Sequence, residues 1–182
     1  MKFLKMENDK FWKMPQSLDP RWEDRTNFIC ELIPSDVKKI LDIGAGEGFL
    51  KNYLSPLVEY IPLDIVARDS SYLEFNLNKY EFPNINNIDM ITALGVFEYI
   101  EDPYWLITKI KETARILLIT YCCSHNNISP SSMNIRVSNR WINHYNESEF
   151  ENLLEKFGLI MKKKLYKSSL SSNQFVYLVK QK

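Results

Sequence analysis

Lys39-Ile40-Leu41-Asp42-Ile43-Gly44-Ala45-Gly46-Glu47-Gly48 is the stretch from which the fold of this chain is read. Ile40, Leu41 and Ile43 form a short apolar run, the kind that suits a strand buried on both faces of a parallel sheet. Asp42 interrupts the run just before the chain turns. Gly44, Gly46 and Gly48 then alternate with Ala45 and Glu47, a spacing that permits positive φ and lets a ligand touch the backbone. Phe49 to Leu54 reads as the helix that follows. A strand, a glycine turn and a helix N-terminus make a nucleotide-sized cradle at the carboxyl edge of a sheet.

The dinucleotide fingerprint is Gly-x-Gly-x-x-Gly. Here the third glycine comes one residue early, and Asp42 stands two residues before the first. That pattern resembles motif I of class I S-adenosylmethionine-dependent methyltransferases, Asp/Glu-x-Gly-x-Gly-x-Gly, which holds the methionine part of the cofactor. The resemblance implies a Rossmann-like, doubly wound α/β fold. Its sheet would be mostly parallel, with helices on both faces and a C-terminal antiparallel hairpin. An ordinary tight turn and a nicotinamide site remain the alternative readings of the same glycines.

The chain has 182 residues, 45% of them hydrophobic, which is one domain's worth and enough for a core. We read residues 1–182 as a single domain, with 1–20 as an N-terminal extension or lid. Lys and Arg total 23, as do Asp and Glu, so no global basic field argues for nucleic acid. Lys162-Lys163-Lys164 is the one dense basic run and reads as a solvated strand edge. Three cysteines, two of them adjacent at Cys122-Cys123, make no disulfide framework and lack the spaced pairs of a zinc site. A reducing, cytoplasmic setting is therefore expected. No apolar stretch is long enough for a membrane span, and the N-terminus lacks a signal-peptide core.

Along the chain, Asp19-Pro20 is a helix start, and Phe28, Ile29, Leu32 and Ile33 share a helical face that Pro34 ends. Arg21 and Arg25 lie at the amino end of this helix, near where a cofactor carboxylate would sit. Tyr60 to Asp64 is the second strand. Asp64 lies twenty residues after Gly44, at a strand end, where a carboxylate can accept hydrogen bonds from both ribose hydroxyls. Tyr72 to Phe75 reads as a short third strand and Ile88 to Leu94 as the fourth. Asp102-Pro103 starts a helix, and Arg115 to Tyr121 is the fifth strand. Asn126 to Asn139 is rich in Ser and Asn and reads as a loop long enough to cover a site. Asn146-x-x-Glu149 resembles a capping box, opening a helix striped by Phe150, Leu153, Leu154 and Phe157 that Gly158 ends. Leu159 to Tyr166 and Phe175 to Lys180 form the closing hairpin.

Further residues join the cofactor set that the resemblance implies. Ile65 follows Asp64. Asn76, with Leu77 after it, stands where the family places an acid against the adenine amino group; its amide oxygen can accept the same bond without charge. Leu94 and Gly95 follow the fourth strand. Gly95-Val96-Phe97-Glu98-Tyr99-Ile100-Glu101-Asp102-Pro103 resembles the family's leucine-glutamate-histidine-isoleucine segment, with Tyr99 at the histidine place. Tyr99, Tyr121, Arg140, Trp141 and Tyr145 are expected to shape the acceptor pocket.

Methyl transfer from a sulfonium needs mainly position and no metal; a hydroxyl or ammonium acceptor must also lose a proton to a base. His144 is the first candidate for that base, and His125 the second. The expected activity is S-adenosylmethionine-dependent methylation of a small molecule such as a sugar nucleotide or other metabolite, with oxygen as the favoured acceptor atom. A protein that binds the cofactor without turnover is the alternative, followed by a nicotinamide-dependent oxidoreductase. Neither a nucleic acid nor a membrane is an expected partner.

Overall fold

The computed structural model describes residues 8–14, 19 and 22–181. Strand β1 (Lys39–Ile43) sits inside a seven-stranded sheet, because its apolar residues are buried toward both faces. Leu41 and Ile43 enter one core cluster, and Ile40 enters the other. Parallel partners flank β1: β2 (Glu59–Asp64) on one side and β4 (Met90–Leu94) on the other. The full order is β3-β2-β1-β4-β5-β7-β6, with β3 at Leu73–Glu74, β5 at Ile116–Cys123, β6 at Leu159–Ser168 and β7 at Asn173–Gln181. Five strands are parallel. β7 runs antiparallel to β5 and β6 antiparallel to β7, so the expected closing hairpin is present.

The period-2 alternation continues along β4 and β5. Ile91, Ala93, Leu117, Ile119 and Tyr121 face the first core, whereas Met90, Leu94 and Leu118 face the second. Helices α3 (Pro103–Thr113) and α5 (Glu147–Lys156) cover the first face through Leu106, Ile107, Ile110, Phe150, Leu153 and Leu154. Helix α2 (Trp22–Cys30) and the turn after the glycines cover the other, through Ile29 and Leu50. Helix α1 (Asn8–Trp12) is a short N-terminal piece. Strand order reverses between β1 and β4, and in open α/β sheets ligands bind at the carboxyl edge of such a switch point.

Two local expectations are corrected. Phe49–Tyr53 is a 3₁₀ helix rather than an α-helix. Only five residues separate Gly48 from Leu54, and the turn closes through Lys51 N–H to Gly48 O at 3.1 Å. The expected loop at Asn126 to Asn139 contains helix α4 (Pro130–Ser138). Its start signal is Ser129, whose hydroxyl accepts from the Ser132 N–H, followed by Pro130 in the first turn. The capping box at Asn146 forms in full, and Asp102 caps α3 at the Trp105 N–H. Lys163 lies on exposed β6 and pairs with Glu147 and with Glu151 (2.6 Å), consistent with a solvated edge. Among the described residues, no helix is long and apolar enough to cross a membrane. The reading of 1–20 as an extension or lid falls largely outside the described residues, as do Pro20 and Arg21.

Candidate active site

One cavity of about 440 Å³ opens at the carboxyl edge of β1, β2, β4 and β5. The glycine turn forms its floor. Gly44 has φ 68°, and a Cβ there would lie 2.5 Å from Val96 Cγ2, so no side chain fits. Gly46 has φ 58°, but a Cβ there would meet nothing closer than the Trp22 ring at 3.9 Å. The backbone at Gly46 therefore faces space that a ligand can enter. Four bonds hold the turn: Ala45 N–H to Leu63 O (3.0 Å), Gly48 N–H to Ala45 O (2.9 Å), Gly46 N–H to Asp64 Oδ2 (2.8 Å), and Tyr72 Oη to Gly46 O (3.1 Å).

Asp42 and Asp64 both line this cavity, in different states. Asp42 is engaged by the protein: Thr92 Oγ1 donates to its Oδ1 at 2.5 Å and Tyr60 Oη to its Oδ2 at 2.7 Å. Burial raises its carboxyl to about 6, against the pull of those two bonds. It ties β1, β2 and β4 together beneath the turn. Asp64 ends β2, with Oδ2 on the Gly46 N–H and Oδ1 on the Val66 N–H at 3.1 Å. A carboxylate oxygen accepts more than one bond, so both retain capacity toward the cavity. Burial raises its pKa too, and the same N–H donors oppose the shift.

Of the other anticipated cofactor residues, Ala45, Ile65, Asn76, Leu77, Leu94 and Gly95 line the cavity. Gly48 does not; its φ is 71° and a Cβ there would lie 2.7 Å from Tyr72 Oη. Asn76 caps the short 3₁₀ turn Leu77–Lys79, its side-chain oxygen accepting from Asn78 N–H at 3.1 Å.

The anticipated acceptor residues divide. Tyr99 and Trp141 line the cavity, joined by Trp141 Nε1–H donating to Tyr99 Oη at 3.1 Å. Tyr121 is fully buried, stacks on Phe150 at 4.1 Å and accepts the Tyr145 N–H, which makes it a support for this wall. Arg140 lies over the Phe11 ring at 4.1 Å. Tyr145 borders a separate depression with Tyr104 and Glu149.

That depression also holds His144, which does not line the cavity. Arg136 Nε donates to His144 Nδ1 at 3.2 Å, so this ring nitrogen is spent as an acceptor, and burial together with Arg136 lowers the histidine's pKa. His125 Nε2 lies 3.0 Å from Ser169 O, which assigns it the proton on that nitrogen; it too is outside the cavity. Both candidate bases are therefore outside the cavity. Helix α4 lies between β5 and His144, whereas His125 precedes it.

Several cavity residues were not singled out for the site from sequence. Arg25 was noted only for its position. It is 9% exposed, donates from Nη2 to Leu94 O at 3.1 Å and keeps Nε without a partner. Its Nη1 would lie 2.9 Å from a Cβ on Gly95, so Gly95 is what admits it. Glu98, Cys122, Ser171 and Ser172 also line the cavity. Glu98 stands at the glutamate of the leucine-glutamate-histidine-isoleucine segment, which was its one signal; Cys122 lies at the end of β5 and the two serines lie in the Ser-rich hairpin loop.

Residues 16–163 match the methyltransferase-domain family, and the chain belongs to it. The comparison with curated proteins returned no match. Among solved structures, the chain resembles the plantazolicin methyltransferase BpumL in complex with S-adenosylhomocysteine and a monoazolic desmethylPZN analog. Identity is 15% over 89% of this chain and 84% of that one, with a TM-score of 0.65. It also resembles a putative O-methyltransferase from Nostoc punctiforme at 16% identity, covering 98% and 63% of the two chains with a TM-score of 0.70. A putative methyltransferase solved with the Haloferax volcanii Trm112 activator is 11% identical, covers 98% and 99%, and has a TM-score of 0.70. The chain is thus a class I methyltransferase domain, an enzyme whose cofactor is S-adenosylmethionine. The residues present fit that cofactor: a glycine backbone open at Gly46, a strand-end carboxylate with free acceptor capacity, and a buried guanidinium with an unused N–H.

Proposed function

We propose that this chain methylates a small molecule at a heteroatom that carries a hydrogen. The observation that carries the reading is that the cofactor floor and an aromatic, serine-rich wall belong to one cavity. When bound, S-adenosylmethionine supplies a methyl group already activated on a sulfonium. The protein's main task is then position, and orienting two reactants can be worth roughly 7–11 kcal/mol of the barrier.

Asp64 takes the ribose hydroxyls on its remaining lone pairs. The Gly44–Gly46 backbone lies along the amino-acid chain, and the free Nε of Arg25 receives its carboxylate. Asn76 and Leu77 flank the base, with Ile65 beside the ribose. Asp42 holds the floor in place through Tyr60 and Thr92 and makes no direct contact. Tyr99 and Trp141 shape the acceptor end. A cavity of this size suits a metabolite rather than a macromolecule. Oxygen is the favoured acceptor atom, and the cavity wall offers Glu98, rather than a histidine, to receive its proton.

The test is transfer of labelled methyl from S-adenosylmethionine across a panel of small alcohols, phenols, amines and carboxylates. Label in a protic acceptor supports the reading. Label confined to a protein or nucleic-acid fraction of a cell extract would contradict it.

A further inference from the structure

Beside the cavity, a buried cation rests on a histidine. Arg136 of α4 is fully buried, and its guanidinium lies over the Trp141 ring at 4.7 Å. Its hydrogen bonds go to neutral acceptors: Nε donates to His144 Nδ1 at 3.2 Å, Nη2 to Asn143 O at 3.3 Å and Nη1 to Ser171 O at 3.4 Å. A proton can take the first of these acceptors away, because an imidazolium donates from both ring nitrogens. Two cations would then face each other at one partly buried contact, where like charges repel more strongly than in water.

Trp141 carries the effect to the cavity. Trp141, Tyr99 and Ser171 all line it, and Trp141 Nε1–H donates to Tyr99 Oη at 3.1 Å. Direct contacts therefore run from His144 through Arg136 and Trp141 to Tyr99. The other titratable groups around the histidine are Tyr104 from α3, Tyr145 beside it in sequence, and Glu149 and Lys156 from α5. Glu149 Oε2 accepts the Asn146 N–H at 2.8 Å, and Lys156 Nζ donates to Tyr104 Oη at 3.3 Å. Arg136 is the charged group bonded to the ring, and burial together with that charge holds the histidine below its ordinary 6.5.

We infer that His144 is a positioning residue of the Tyr99–Trp141 wall: unprotonated, it holds Arg136 against Trp141, and protonation of its ring releases that wall. The wall is the acceptor end on the methyl-transfer reading above, so the inference names a pH regulation of that same site, exerted from outside the cavity.

The test is a titration of the full chain by nuclear magnetic resonance from about pH 8 to about pH 5, a range that spans the ordinary histidine value. The Trp141 indole N–H signal is identified by its loss in Trp141→Phe, and the His144 ring signal by its loss in His144→Asn. In the wild type the indole signal should move with pH and share the midpoint of the His144 ring, below about 6.5. His144→Asn supplies a side-chain oxygen that accepts but does not titrate, so there the indole movement should disappear. An indole signal that stays still, one with a different midpoint, or a movement that survives His144→Asn overturns the inference. Asp42, raised to about 6, titrates in the same range, and the last outcome would assign the movement to such a group. If His144→Asn does not fold, His125→Asn leaves His144 as the one histidine ring, and the comparison of midpoints decides alone. If Trp141→Phe does not fold, loss of signal at Trp12, Trp22 and Trp105 identifies the fourth indole by elimination. The titration uses no cofactor, so its failure leaves the methyl-transfer reading standing; that reading fails separately, on absence of S-adenosylhomocysteine binding.

Discussion

Asp42 is 3% exposed and bonded through both oxygens within the protein, yet its carboxyl is raised to about 6 from an ordinary 3.8. Between those values the folded chain holds a proton that the unfolded chain has released. The group's contribution to stability is therefore complete below about pH 4 and is lost as pH climbs through about 6. Urea unfolding of Asp42→Asn against wild type should show the balance moving toward the variant by up to about 3 kcal/mol between about pH 4 and pH 7. A pH-independent difference would show that Asp42 does not titrate in this window. His144 gives a second prediction at this scale. With Nδ1 taken by Arg136 and the ring outside the cavity, His144→Ala should leave turnover far above the roughly 10²–10⁴-fold loss expected on removing a general base. Steady-state rates with the acceptor found in the panel check this.

At the scale of elements, the glycine turn forms the floor of the site, and α4 supports its wall through Arg136 against Trp141. Gly44→Ala would place a methyl 2.5 Å from Val96 Cγ2 at a positive φ, so the turn must shift. It should weaken S-adenosylhomocysteine binding, read by calorimetry, more than it lowers the melting temperature; the reverse ranking would make the turn a folding element first. In α4, Arg136 is fully buried and stacks over Trp141 at 4.7 Å while bonding Asn143 O and Ser171 O. It joins α4, the 141–144 segment and the hairpin loop. Arg136→Met keeps much of the stem but strands those carbonyls, and each buried unsatisfied group costs about 1–3 kcal/mol. Chemical denaturation should show a loss of that order, and an unchanged midpoint would mean the wall stands without it. Helix α4 was hidden in the sequence because its signal is local. Ser129-Pro130 opens it, but a Ser- and Asn-rich composition and one buried arginine give no apolar stripe to follow. The strands around β1 were legible because both of their faces are buried, and that writes apolar residues at most positions.

For the molecule as a whole, the cofactor half was readable and the acceptor half was not. Asp64 and the glycines are defined by the strand ends that carry them, and those follow from hydrophobic runs. Arg25 and Glu98, each noted singly in the sequence, reach the same cavity from α2 and from the turn after β4, a meeting that depends on tertiary packing. The two histidines follow β5 in sequence, His125 directly and His144 beyond α4, yet neither lines the cavity, because that too depends on tertiary packing. The central claim is that the cofactor is held at the end of β2 by Asp64, over the open backbone of Gly46. It is tested most directly by titrating S-adenosylhomocysteine into wild type and Asp64→Ala by calorimetry, with circular dichroism confirming that both are folded. Two charge-assisted hydrogen bonds, each worth about 1.5–3 kcal/mol, predict at least roughly tenfold weaker binding in the variant. An unchanged dissociation constant in a folded Asp64→Ala would contradict the account.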